Sequence, residues 1–361
     1  MTIRDAILAA VHGDATAPVP WTTYAGIIPS SYTERELRAR GLGLQFMVSV
    51  CKTEYPHVEV ETHSVRRGGV RTTRVTYHTP VGDAWRLERA QGGQAYGTAW
   101  TVEPLIKNLA DYEVMRYYVE DAVYAPNYEA IVAADRLIGT DGIVLGSVGL
   151  SPFQILVNPD WLGMDGVSYW LADHPAELDD LLAAMNRKHR EIYQIAAQAP
   201  AEMIHSDENV TALMVGPRLF ERYHLPFYEA MTPQLHAAGK LYVCHYDGSI
   251  QPLLREIERS PIDVVEAFTP PPMGDVPVSE AKAAWPEKVI WSNFPGSVFL
   301  EERQCMLVFT MRLLEDAAPG GRFVLGITED IPADRWETGM LAMGEALAAY
   351  NSEHRAGGSR G

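Results

Sequence analysis

The chain is 361 residues long, 47% hydrophobic and 21% charged, a globular composition that suits one large α/β barrel or two ordinary domains. A formal net charge of −17 repels nucleic acid and anionic membrane surfaces, and it disfavours a strongly polyanionic substrate unless the pocket is locally basic. Cys51, Cys244 and Cys305 lie far apart with no paired spacing, so no disulfide framework or thiolate zinc knuckle is indicated and a reducing cytoplasm is the simpler compartment.

The opening "MTIRDAILAAVHGD" sets charges among apolar residues at helical spacing, which predicts a surface helix and not a signal peptide. "APVPWTTY" predicts a short first strand, and "TERELRARGLGL" a helix closing near Gly41. Residues 55–102 alternate apolar with polar, are rich in Thr and Val, and are cut by Gly-Gly and Pro-Val-Gly; this predicts an antiparallel meander exposed on one face. Two amphipathic helices follow, "LADYEVMRYYVEDA" and "NYEAIVAADRLIG".

From residue 140 short apolar runs alternate with helices: "DGIVLGSVG", "AEMIHSDEN", "KLYVCHYDG", "IDVVEAFTP", "KVIWSNFPG" and "RFVLGITED". With "VPWTTY" and one strand from residues 44–63, these make eight parallel strands. The fold expected is α/β, a (β/α)8 TIM barrel with an N-terminal antiparallel β-meander insertion. The rival open sheet lacks its usual nucleotide-binding glycine signatures. One domain over 1–350 is expected, with 55–102 inserted and 351–361 a flexible tail.

Chemistry concentrates where the apolar runs end, the face on which barrels carry their sites. "AEMIHSDEN" ends in His205, Asp207, Glu208 and Asn209, and "KLYVCHYDG" in His245 and Asp247. Glu266, Asn293, Glu329 and Asp330 end three further strands, while Trp21 and Tyr24 offer an aromatic wall on the first and Trp100 another ring. Strand starts carry ordinary charges, Lys240, Asp263, Lys288 and Arg322. Each acid alone has a plainer role: Asp247, Asp207 or Asp330 can cap a following helix. Cys244 and Tyr246 alternate to the face opposite His245 and pack on helices, and Cys305 sits among apolar residues of a helix. Taken together the polar ends suit either a divalent metal held by His245 and carboxylates such as Glu329, or metal-free acid–base work by a buried glutamate.

"HYDGSIQPLLREI", "IDVVEAFTPPPMGD", "KVIWSNFPGSVFL" and "GGRFVLGITEDIP", with "TPVGDAWRL" upstream, resemble the uroporphyrinogen decarboxylase superfamily over roughly residues 3–350. The order of these blocks is similar to the branch grouped with cobalamin-dependent methyltransferases. The resemblance implies a (β/α)8 barrel. The Arg-Gln-Ala-Gly-Arg motif that holds carboxylates in true decarboxylases is missing from "WTTYAGIIPSSYTERELRARG". Thiol-methylating members hold zinc with His-x-Cys and a later cysteine. Matched here are His245, Asp247 and, near the last position, Glu329. A His/Asp/Glu set is harder than thiolates and suits an oxygen-bearing substrate, or no metal at all.

The function this implies is methyl transfer from an O- or N-methylated small molecule to cob(I)alamin (cobalamin) on a separate corrinoid-binding protein, with zinc as a possible second cofactor. His245 and Glu329 would bind metal or protonate the leaving atom, with Asp207 and Glu208 also at the reacting centre. His205, Asn209, Asp247, Glu266, Asn293, Trp21 and Tyr24 would hold substrate. The alternatives are a decarboxylase or lyase of a small carboxylate and a non-catalytic binding barrel. Neither nucleic acid nor membrane is expected as a partner, and a homodimer is the default assembly.

Overall fold

The computed structural model describes residues 1–91 and 99–357. Its strands are β1 (Trp21–Tyr24), β2 (Leu42–Ser49), β3 (Cys51–Glu54), β4 (Glu59–Arg67), β5 (Val70–Thr79), β6 (Gly82–Gln91), β7 (Ala99–Glu103), β8 (Val123–Pro126) and β9 (Gly142–Gly149), followed by β10 (Met203–Ser206), β11 (Leu241–His245), β12 (Val264–Phe268), β13 (Val289–Asn293) and β14 (Phe323–Ile327). Two compact units divide them: Met1–Val50, Asn127–Gly149 and Ala196 onward form the first, Cys51–Pro126 and Leu150–Ile195 the second.

The first unit is a closed barrel of eight parallel strands in the order β1-β14-β13-β12-β11-β10-β9-β2. The strands are short and apolar because both faces are covered. The predicted strand within 44–63 is β2. Helix α1 (Ile3–Val11), capped by Thr2 and Asp5 in a reciprocal box, is not the surface helix expected. Its Ile7, Ala10 and Val11 pack with Ile143, Leu145, Met203, Val243, Val264, Val289, Trp291 and Val324 as one buried cluster. Those residues come from six barrel strands, so α1 closes the floor of the barrel. Its apolar stripe was legible in the sequence, but its partner was not.

Strand starts also hold more than ordinary charges. Lys240 Nζ donates to the carbonyls of Ala199 and Ala201 (both 2.7 Å), and Lys288 Nζ to those of Ser260 and Ile262 (2.7 and 2.8 Å). Asp263 accepts from the Tyr242 amide (2.7 Å). These side chains tie the turns entering the barrel to one another, satisfying carbonyls that the turns leave unpaired.

The second unit holds the meander, a four-stranded antiparallel sheet in the order β4-β5-β6-β7. Residues 92–98 of the expected insertion lie outside the described residues. An antiparallel ribbon of β3 and β8, not foreseen, stands beside helix Leu109–Asp121 in the same unit. There Tyr55 stacks on Tyr118 at 4.2 Å, with Tyr77 edge-on. The C-terminal helix runs from Trp336 to Gly357, past the boundary expected at 350. Cys244 is buried as expected, whereas Cys305 is exposed, near the start of helix Arg303–Asp316. Among the described residues no helix is long and apolar enough to cross a membrane.

Candidate active site

Successive side chains of a strand point to opposite faces, so each barrel strand lines the interior with every second residue. Low in the barrel those residues are the apolar cluster above. One step higher they are polar: Ser147 follows Leu145, His205 follows Met203, His245 follows Val243, and Glu266 follows Val264. The interior thus changes from dry floor to polar mouth within one strand repeat.

Glu266 is the hub, with no exposed surface. Its Oε1 accepts from the Tyr24 hydroxyl (2.8 Å) and the Gln45 amide (3.3 Å). Its Oε2 lies 2.9 Å from His245 Nδ1 and 3.2 Å from His205 Nε2. His205 Nδ1 is 2.8 Å from Asp207, which also accepts from the Ser147 hydroxyl at 3.1 Å. Six barrel strands or their ends therefore meet through one hydrogen-bonded chain.

Two irregularities aim this chain. The pairing of β10 with β9 shifts between His205 and Ser206, and that of β12 with β13 shifts between Glu266 and Phe268. At the second, Ala267 takes a positive φ of 56°. Bulges turn side chains out of register, and a left-handed alanine costs about 1–2 kcal/mol. The position of Glu266 thus depends on a locally strained backbone at Ala267.

Burial alone would raise Glu266, but the charge of His245 and bonds from both histidines hold it well below the usual carboxylate range. Burial opposes the charged form of His205, yet its hydrogen bonds to Asp207 and Glu266 bring it to about 9. His245 is likewise raised, burial being outweighed by the Glu266 charge. Glu266 and its two histidine partners thus oppose the effect of burial on one another.

Above the hub, ligating atoms of His245, Asp247 and Glu329 lie within 4.8 Å of one another. His245 Nδ1 is engaged by Glu266, which leaves Nε2 for this upper group. Burial raises Asp247, and burial together with the Asp247 charge raises Glu329. Asp247 does not cap the next helical turn: Asp275 does, accepting from the amides of Ile250 and Gln251 (2.8 and 3.1 Å). Asp247 Oδ1 is buried without a hydrogen-bond partner. Among the described residues no lysine or arginine ion-pairs with Asp207, Asp247, Glu266 or Glu329.

Other expected site residues fall elsewhere. Glu208 alternates away from the interior and is wholly buried behind β10, accepting from the Ser206 hydroxyl and 3.9 Å from His224. Asn209 is exposed, and its amide bonds the His245 carbonyl from a left-handed backbone (φ 82°). Asn293 is buried and structural, donating to Thr269 and accepting from the Thr328 amide. Trp21 is buried against the C-terminal helix, where a Cβ on Gly344 would fall 3.1 Å from its ring. Trp100 belongs to β7 in the second unit and is 66% exposed. Tyr24 is in the site, but by its hydroxyl and not as an apolar wall. Gln45 and Ser147 were not foreseen. Each is a polar residue inside an apolar run ("LGLQF", "IVLGSV"), and that interruption was the available signal.

The profile of the uroporphyrinogen decarboxylase (URO-D) family matches residues 95–350. Among solved structures, a methyltransferase from Methanosarcina mazei superposes with a TM-score of 0.57 at 10% identity, covering 97% of this chain and 99% of that one. A protein described as a vitamin-B12-independent methionine synthase from Listeria monocytogenes gives 0.40 at 12% identity, covering 63% and 69%. The first likeness shows the fold. No curated protein matches the chain.

Proposed function

Because the chain belongs to the uroporphyrinogen decarboxylase family, we propose that it is a methyltransferase that removes the methyl group of a small O- or N-methylated compound. The acceptor in this reading is cob(I)alamin carried by a separate corrinoid protein. Support comes from the family, from a fold shared with a methyltransferase, and above all from the mouth of the barrel. The carrying observation is that two carboxyl groups raised above their ordinary values stand beside a histidine locked by a buried glutamate.

Tyr24, Gln45 and His205 fix Glu266, and Glu266 fixes the ring of His245. Glu329 is half-buried and raised, so it retains a proton at higher pH than a free glutamate. As the methyl–oxygen or methyl–nitrogen bond breaks and the methyl passes to the acceptor, the Glu329 carboxyl gives its proton to the departing heteroatom. Asp207, 45% exposed at the rim, orients substrate through its free lone pairs. That no lysine or arginine pairs with these acids among the described residues weighs against the alternative, a decarboxylase or lyase of a small carboxylate.

A zinc ion fits the same group. An unpartnered buried Asp247 oxygen, a free His245 nitrogen and the Glu329 carboxylate make a hard N/O donor set, and Glu266 supplies the carboxylate behind the histidine that such sites use. Bound there, zinc would hold Glu329 as a carboxylate ligand and, in place of that residue's proton, would polarise the leaving heteroatom as a Lewis acid.

The test pairs the purified chain with cob(I)alamin and a panel of methoxylated and N-methylated compounds, following methylcobalamin by its spectrum. Methyl transfer is expected, lost by at least about 10²-fold in Glu329→Gln. No transfer across the panel, with release of CO2 from a small acid, sinks the proposal in favour of the lyase. Metal analysis is read separately: stoichiometric zinc in wild type is expected to be lost in His245→Ala and in Glu329→Ala.

A further inference from the structure

The four-stranded sheet of the second unit has two unlike edges. One is β7, five residues long, whose pairing with β6 shifts between Leu87 and Glu88. The other is β4, nine residues long and exposed at every position. It pairs with β5 residue for residue, from Glu59↔His78 to Arg67↔Val70, without a bulge. Edges are normally blunted by proline, charge or a bulge; β4 has no proline, lysine or bulge, and its charges, Glu59, Glu61, Arg66 and Arg67, are of both signs.

The hydrogen-bond parity of this edge follows from its turn. Gly68 and Gly69 both have positive φ, 56° and 80°, as a two-residue hairpin turn of the primed type requires. Such a turn closes on a hydrogen-bonded pair, here Arg67 with Val70. Arg67, Val65, His63, Glu61 and Glu59 therefore exchange bonds with β5. The N–H and C=O groups of Val60, Thr62, Ser64 and Arg66 point outward, with no strand to receive them among the described residues.

We propose that β4 pairs antiparallel with β4 of a second copy of this chain, about a two-fold axis at His63. In that register the outward-pointing residues meet one another: Val60 faces Arg66, and Thr62 faces Ser64. Each such pair exchanges two backbone bonds. The remaining positions bring Glu59 opposite Arg67 twice over, once on each side of the axis. Neither Glu59 nor Arg67 has an ion-pair partner within the chain among the described residues, whereas Glu61 reaches His78 at 3.5 Å. The sequence "EVETHSVRR" is thus acidic at its start, basic at its end and neutral in sum with His63 uncharged. A second copy of a chain carrying −17 is repelled over most of its surface, and this strand is a self-complementary exception. Pairing also covers Val60 and Val65, which stand exposed.

Sedimentation of the full chain across the micromolar range tests this. Wild type is expected to dimerise. Thr62→Pro, which removes an outward N–H and no bond to β5, is expected to leave a folded monomer. Glu59→Arg is expected to weaken the dimer roughly tenfold by setting like charges opposite each other. The double variant Glu59→Arg with Arg67→Glu is expected to restore it. A monomeric wild type, a dimer indifferent to Thr62→Pro, or a charge-swapped double variant that stays monomeric overturns the proposal.

Discussion

Asp247 carries a carboxylate that burial raises and that no donor satisfies at Oδ1. In the metal-free chain its folded-state value therefore lies above the ordinary 3.8, so between the two the folded state binds more protons than the unfolded one. Stability contributed by this group accordingly falls as pH rises through that window. Asp247→Asn removes the penalty. After chelation, the variant is expected to melt above wild type at pH 7, and its advantage to shrink as pH drops toward 3.8. Differential scanning fluorimetry across that range checks it; an advantage independent of pH would exclude the charge as its cause. A stabilising loss-of-function substitution is what a site held against folding preference produces. Much of this was legible at the residue level. His205, Asp207, His245, Asp247, Glu266 and Glu329 stood out as polar ends of apolar runs. Glu208 misled because a strand end presents residues to both faces, and only alternation from His205 sorts them.

At the scale of elements, the strand starts and strand ends divide labour. Lysines at the starts hold turns by donating to carbonyls, and bulges near the ends aim the hub. Lys288 sits largely buried at such a start. Burial lowers it to about 8 from 10.5, although the Asp263 charge opposes this. Between those values the unfolded chain binds the extra proton, so stability contributed by Lys288 rises with pH from about 8 to 10.5. Lys288→Met loses two bonds to carbonyls and is expected to unfold at lower urea than wild type. The gap should be wider at pH 10 than at pH 7.5, with methyl transfer retained. A gap that narrows over the same interval contradicts the assignment. The bulges were not legible: neither "MIHSDEN" nor "VVEAFTP" has a glycine to announce a break in register, and Ala267 takes its positive φ against preference. The β3–β8 ribbon was hidden for another reason, since "VYAP" between two strong helical patterns is too short to show a period.

For the molecule as a whole, eight apolar runs in alternation with helices narrowed the fold to a barrel or an open doubly wound sheet, and the absence of nucleotide-binding glycine signatures favoured the barrel that the structure shows. Division into two compact units was not written in composition, as the second unit is assembled from two separated stretches. Calorimetry is expected to show two transitions, with the unit built on Cys51–Pro126 and Leu150–Ile195 unfolding independently of the barrel. A single transition whose calorimetric and van't Hoff enthalpies agree would show one cooperative unit instead. The helical plug in the barrel has a kinetic consequence. Because α1 packs Ile7, Ala10 and Val11 on the apolar lower interior, a small molecule reaches the polar hub from the strand ends. In the proposed reaction the small substrate would bind beneath the corrinoid partner and leave after it. The proposed methyl transfer would then be ordered, first in and last out, with the residence time of the rim-bound partner limiting turnover.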